Sequence, residues 1–193
     1  MLTKGQETRN RIIQTSRQLF TRQGFQNTSI SEIIAATGVK KGNLYYHFPS
    51  KEELGIAVLT DARDEFYTIL DNSFAGKKPE AKIIHSCDSI MALMQQTNFV
   101  GGCLFGNTAL EMTDSSSRFG IIVREVFSRW TDMIAKELHQ VATTSTGPIN
   151  PNILATAIVA ILEGGIMLSR VYNDKTHLNN CISIIKMLVE NKN

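Results

Sequence analysis

The chain has 193 residues, 42% hydrophobic and 20% charged, which suits one or two small globular domains with a real core. A net charge of +2 hides an asymmetry: residues 1–51 hold eight Lys and Arg against two Glu (net +6), and the rest hold 12 basic and 16 acidic side chains (net −4), so a polyanion is expected to meet the head alone, if this is more than a solvated surface. The opening residues are too polar for a signal peptide, the longest apolar run (Ile153–Leu162) falls short of the about 20 residues a bilayer needs, and three scattered cysteines form no disulfide framework, so a cytoplasmic protein with no membrane partner is expected.

Helical periodicity runs through nearly the whole chain, and no stretch alternates as a half-buried strand does. The spacing predicts a first helix over Glu7 to Gln23, with Ile12, Ile13, Ser16, Leu19 and Phe20 on one face. Gly24 is placed to end it in the left-handed conformation, with Phe25 folding back. Ser29 and Glu32 make a capping box for a second helix carrying Ile30, Ile33 and Ile34, which Gly38 closes. A short third helix starts near Lys40 and stops before Pro49. Another box, Ser50 with Glu53, opens a long fourth helix striped by Leu54, Val58, Ala62, Phe66 and Ile69. After a break at residues 76–78, Pro79 suits the first turn of a fifth helix carrying Ile83, Ile84, Cys87, Met91 and Met94. A loop at 97–102 leads to a shorter sixth helix, about Cys103 to Met112. Residues 115–117 cap a seventh, striped by Phe119, Val123, Phe127, Trp130, Ile134, Leu138 and Val141. Residues 143–150 read as a loop. Asn150 and Pro151 open an eighth helix, apolar nearly all round, with small residues at Ala155, Ala157, Ala160, Gly164 and Gly165. A ninth runs from about Lys175 to Glu190. The fold class expected is all-α.

Three short helices with a glycine-bounded turn between the second and third describe a helix-turn-helix. The candidate reading helix is Lys40-Lys41-Gly42-Asn43-Leu44-Tyr45-Tyr46-His47-Phe48. Leu44 and Phe48, four apart, pack inward, which turns Lys41, Asn43, Tyr45, Tyr46 and His47 outward or onto the flanks. Lysines neutralise phosphates and release counterions; tyrosine hydroxyls and an imidazole hydrogen-bond phosphate oxygens. Gly42 allows close backbone approach, and the N–H groups at the start of the helix point at an anion. Lys51, misplaced for the dipole of the fourth helix, is explained by a nearby phosphate. Plainer readings stand beside these: Tyr45 as partly core, His47 as a helix C-cap, Lys40 and Lys41 as solvated surface, Ser29 as a cap.

Residues 7–55 resemble the N-terminal domain of the TetR family of bacterial repressors. The resemblance lies in the order and spacing of Ile12-Ile13, Leu19-Phe20, Gly24-Phe25, Thr28-Ser29-Ile30, Ile33, Gly38-Val39, Gly42 to Phe48, and Lys51-Glu52-Glu53-Leu54. Ser16 departs from it, standing where a small apolar residue is common. The resemblance implies an all-helical homodimer of about nine helices per subunit. It implies an N-terminal three-helix helix-turn-helix domain over 1–50, whose third helix reads double-stranded DNA at a palindromic operator. A C-terminal helical effector and dimerisation domain over 51–193 then binds a small-molecule inducer. By position it implies DNA contacts at Thr28, Ser29, Lys40, Lys41, Gly42, Asn43, Tyr45, Tyr46, His47 and Lys51.

The eighth and ninth helices are the expected dimer surface, because small residues let helices approach closely; burial within one subunit is the alternative. Candidates for the effector pocket are Met91, Met94, Phe99, Cys103, Asn107, Glu111, Phe127, Trp130, Glu163 and Met167. The apolar members supply adaptable surface but also read as core filler. Asn107, Glu111 and Glu163 suit a polar ligand end, or pairing with Arg124, Arg129 or Arg170. Residues 101–111 resemble a glycine-cysteine-leucine, asparagine, glutamate pattern of many bodies in that family, some of which sense electrophiles or unsaturated acids. Cys103 at a helix N-terminus reads as a sensing thiol whose thiolate the dipole favours, or as a small buried hydrophobe. No enzyme, cofactor or metal is expected. His47, His85, His139 and His177 have no ligand partner at helical spacing, and no phosphate loop, dinucleotide fingerprint or nucleophile elbow appears.

Overall fold

The computed structural model describes residues 3–76, 78–142 and 150–190. Among the described residues there are helices and no strand: α1 (Lys4–Gln23), α2 (Ile30–Thr37), α3 (Lys41–His47), α4 (Lys51–Ser73), α5 (Pro79–Gln96), α6 (Leu104–Met112), α7 (Ser117–Ala142), α8 (Pro151–Tyr172) and α9 (Thr176–Glu190). The all-α class is therefore observed. The loop expected over 143–150 lies outside the described residues except for Asn150. Helix α1 starts a turn before its expected position, because Thr3 and Gln6 make a capping box: Gln6 N–H donates to Thr3 Oγ1 at 3.2 Å and Thr3 N–H to Gln6 Oε1 at 2.8 Å.

The chain divides after Glu65, Cys103 and Val123. One compact unit takes the residues up to Glu65 together with Leu104–Val123; the other takes Phe66–Cys103 and the residues from Arg124 on. Packing thus groups α6 and the start of α7 with the first three helices, while α4 and α7 each run from one unit into the other.

The core of the first unit is Ile12, Ile13 and Phe20 of α1, Ile33 of α2, Val39, Leu44, Phe48, and Leu54 and Val58 of α4. Each Ile or Leu fully withdrawn from water contributes about 1.5–3 kcal/mol, so these side chains fix α3 against α1, α2 and α4. The Ser29 and Glu32 box forms as expected, with Glu32 N–H on Ser29 Oγ at 3.2 Å and Ser29 N–H on the Glu32 carboxylate at 2.6 Å. Those bonds hold the Glu32 carboxyl below its ordinary range. The second box differs: Glu53 N–H donates to Ser50 Oγ at 3.1 Å, while the Glu53 carboxylate engages the Arg118 guanidinium.

In the second unit α8 packs on α9 and α5 on α9. A Cβ at Gly165 would lie 3.0 Å from Cys181 Sγ and 3.1 Å from Leu178 Cδ1, so a larger residue there would press those side chains aside at the close approach of α8 to α9. Lys82 Nζ of α5 reaches both oxygens of buried Glu137 of α7, at 3.0 and 3.1 Å, a pair whose single-partner loss costs several kcal/mol. The Trp130 indole meets the Phe66 ring edge-on at 5.5 Å. An 18-residue window of α8 has mean hydropathy 1.8, a length and composition that a buried core helix shares with a bilayer span. The helix carries Glu163 and Arg170, and its buried side packs on α9.

Candidate nucleic-acid interface

The α3 ridge forms as its spacing predicts. Leu44 and Phe48 are 0% and 2% exposed, and Tyr46, between them, is 83% exposed. Lys40, Lys41, Gly42, Asn43 and Tyr45 are exposed and His47 is half-buried. Lys40 is the N-cap residue and makes no side-chain capping bond. Neither Lys40 nor Lys41 is ion-paired among the described residues, so their charge faces solvent. A Cβ at Gly42 would meet nothing within 4 Å; no packing within the chain demands glycine there, which leaves room for an outside group. The His47 ring lies edge-on to Tyr46 at 5.2 Å, and the Arg9 guanidinium sits 5.1 Å from the centre of the Phe48 ring, adding a cation beside the ridge.

Three other expected contact residues sit differently. Ser29 is exposed and its oxygen caps α2. Thr28 is corrected: it is fully buried, and its hydroxyl donates to the Gly24 carbonyl at 2.7 Å. Its N–H donates to the Phe25 carbonyl at 3.3 Å, so Thr28 shapes the α1–α2 corner rather than facing outward. Lys51 is half-buried, with Nζ donating to the Gln26 carbonyl at 3.1 Å and standing 4.5 Å from the centre of the Phe25 ring. Burial lowers its pKa and the charges of Glu111 and Glu32 oppose that shift. Its position in the first turn of α4 is thus explained within the chain.

The effector candidates divide between the units. Asn107 and Glu111 are corrected: both belong to the first unit, where Asn107 Nδ2 donates to the Thr21 carbonyl at 3.4 Å and the Glu111 carboxylate accepts the Phe25 N–H at 2.7 Å. A crevice lined by Phe20, Phe25, Gly55, Asn107 and Glu111 has space for little more than a water molecule. Met167 is corrected too, being 57% exposed. Met91, Met94, Phe99 and Trp130 are buried in the second unit, and Phe127 is half-buried. Trp130 Nε1 and Glu163 Oε1 are shut off from solvent and lack a hydrogen-bond partner among the described residues. Burial raises the Glu163 pKa, opposed in part by the hydrogen bond from the Cys103 thiol, which brings those two candidates together. Of the arginines expected as partners, Arg129 binds Asp71 at 2.7 and 2.9 Å. Cys87 is buried and its thiol is pushed up to about 12.

Sequence reasoning missed the α1–α2 corner. Gly24 ends α1 as expected, with its N–H on the Phe20 carbonyl at 2.9 Å and the Phe25 ring against Phe20, but its φ of 88° and ψ of 160° lie outside the left-handed helical region, so the Phe25 N–H does not fold back onto the last turn. The available signal was Glu111 itself, a carboxylate in the last turn of α6 where the helix dipole disfavours it.

Residues 12–58 match the model of the bacterial regulatory proteins, tetR family, and residues 79–185 that of the tetracyclin repressor-like C-terminal domain. The chain is 29% identical over 193 residues to the HTH-type transcriptional regulator YxaF of Bacillus subtilis (strain 168), covering 99% of this chain and 100% of that relative. It is 25% identical over 183 residues to the HTH-type transcriptional repressor DhaR of Mycobacterium sp. (strain GP1), covering 92% and 89%. A crystal structure of a TetR transcriptional regulator from Chloroflexus aurantiacus J-10-FL matches with TM-score 0.89 and 32% identity, over 99% of this chain and 98% of that one. With an outward cationic ridge on a helix-turn-helix and both family models matched in order, the chain belongs to the TetR family of DNA-binding transcriptional regulators.

Proposed function

We propose that the chain is a ligand-responsive repressor that acts in the cytoplasm. As a homodimer it binds a palindromic operator through residues 1–50 and is released when a small molecule binds residues 51–193. The observation that carries the reading is the ridge: Lys41, Asn43, Tyr45 and Tyr46 face solvent because Leu44 and Phe48 are locked into the core. Lysines there bind phosphate by counterion release, and Asn43 and the tyrosines have the donors and acceptors that position a helix in the major groove. Two ridges about 34–36 Å apart meet successive major grooves.

A dimer is supported by α8. Ile153, Ala157, Ala160, Gly164, Met167 and Val171 follow one another at three- and four-residue steps, so they share a face. Ile153, Met167 and Val171 are 66%, 57% and 70% exposed. Ile184 and Met187 of α9 add 50% and 60% exposed apolar side chains. An effector is supported by the unanswered Trp130 N–H and Glu163 oxygen of the second unit, since a buried polar atom without a partner is costly. The relative DhaR is named a repressor, which favours that sign of regulation. Helix α4 leads out of the first unit past Phe66, and an effector that displaces it spreads the heads, with a coupling of about 1–3 kcal/mol.

The test uses a duplex that the full-length protein selects from a random-sequence pool. Small carbonyls, carboxylic acids and aromatic drugs are screened by thermal shift, and each hit is titrated into the protein–duplex complex. Trp130, the sole tryptophan, reports binding by its emission. The reading expects a two-fold symmetric selected site, and a hit that both shifts Trp130 emission and lowers duplex affinity about fivefold or more. An asymmetric site, or bound hits that leave duplex affinity unchanged, contradicts it.

A further inference from the structure

The corner between α1 and α2 is completed by a residue from far outside the helix-turn-helix. Many helices close on a left-handed residue, and the next N–H folds back onto a carbonyl of the last turn. Gly24 instead has ψ 160°, and the Phe25 N–H is turned toward α6. There the Glu111 carboxylate accepts it at 2.7 Å. The same stretch of α6 binds the following residue, with Gln26 Nε2 donating to the Glu111 carbonyl at 3.0 Å.

The corner is built to admit this carboxylate. A Cβ at position 24 would lie 2.1 Å from Glu111 Oε1. The Phe25 ring is packed by Phe20 and Phe119, with centroids 5.1 and 4.9 Å away. A Cβ at Gly55 would strike that ring at 2.5 Å. Lys51, bonded to the Gln26 carbonyl, adds an attractive charge for Glu111. Four elements of the first unit therefore converge on one backbone N–H. Glu111 lies in the last turn of α6, where the dipole opposes a carboxylate, so its placement is explained by what it holds.

We propose that Glu111 is a positioning residue for DNA binding: α6 supplies the acceptor that sets the α1–α2 corner, and with it the angle at which α2 and α3 leave α1. Withdrawal of that acceptor loosens the reading head without unfolding it. Helix α6 begins one residue after Cys103, which belongs to the other unit, so the head is tied through α6 to a chain segment outside its own motif. The proposal rests on the DNA-binding role of the head and is independent of any effector.

The experiment measures the affinity of full-length variants for the duplex selected by the wild-type protein, together with melting temperature and the Phe25 amide in nitrogen–proton correlation spectra. Glu111→Ala is expected to lose roughly tenfold or more in affinity, the scale of one charge-assisted hydrogen bond, and to lose the exchange protection of the Phe25 amide. Glu111→Gln, whose amide oxygen still accepts, is expected to restore both. Glu111→Asp keeps the charge but withdraws it by a methylene; it should lose affinity like the alanine variant, and it serves if the alanine variant does not fold. Ile83→Ala, a cavity in the core of the second unit, controls for lost stability and should keep affinity. Wild-type affinity in the Ala or Asp variant overturns the proposal. So does a Gln variant as weak as the Ala variant, or an equal loss in Ile83→Ala.

Discussion

Ser16 is fully buried on the inner face of α1, and its Oγ has no hydrogen-bond partner among the described residues. Other buried hydroxyls of the same unit are answered: Thr28 donates to Gly24 at 2.7 Å and Thr37 to Ile33 at 2.6 Å. An unmatched buried hydroxyl costs about 1–3 kcal/mol, and alanine is the better helix former. Ser16→Ala is therefore expected to raise stability by about 1 kcal/mol, a rise in melting temperature of about 2–4 °C for a chain of this size. A calorimetric scan showing an unchanged or lower melting temperature contradicts this. Residues whose partners lie within a few positions were legible: Ser29 with Glu32, the left-handed Gly38 (φ 68°, ψ 10°), Asn150 before Pro151. The misfit of Glu111 to the α6 dipole was legible, but its partner was not, because Phe25 lies 86 residues away and spacing carries no trace of such a pair. Thr28 was placed by resemblance alone and Lys51 by resemblance and its misfit to the α4 dipole, and burial assigned both to the corner instead.

At the scale of the element, α8 shows where periodicity reaches its limit. A helix apolar on every side has no polar stripe to say which face turns inward, so its small residues looked equivalent. The structure separates them. Ala155 is fully buried and Gly165 lies against Cys181 and Leu178, whereas a Cβ at Gly164 would meet nothing within 4 Å. Gly164 lies on the exposed face with Ile153, Met167 and Val171, and close approach of a second α8 gives that glycine a purpose. Gly164→Arg is expected to leave the helical circular dichroism signal and thermal unfolding of the subunit intact, since the side chain projects into open space. It should reduce the proposed dimer to monomers in sedimentation velocity at micromolar concentration, because a buried unpaired charge at an interface is costly. A variant that remains dimeric shows that this face is not the interface. The boundaries of α2, α3 and α5 were legible from their caps and prolines. The fate of Glu53 was not, because Arg118 takes its carboxylate from a distant helix.

Over the whole molecule, the order and spacing of the motif residues from Ile12 to Leu54 carried most of the functional reading, with the charge asymmetry beside them. The division of the chain did not follow from them: motifs separate residues 1–50 from the rest, while packing joins α6 and the beginning of α7 to the head. That grouping arises from side chains such as Phe119 and Glu111, which close around Phe25, and no local pattern announces it. The central claim is that the exposed side chains of α3 read DNA. Its most direct measurement is the affinity of Lys41→Ala/Tyr46→Ala for the duplex selected by the wild-type protein, beside an unrelated duplex of equal length. Both positions are exposed, so folding should change by no more than about 0.5 kcal/mol for each substitution. The account predicts a loss of about 100-fold or more on the selected duplex, as two phosphate or base contacts per head disappear, with a shallower dependence on salt. A variant that binds the selected duplex as tightly as the wild-type protein, with the same salt dependence, contradicts it.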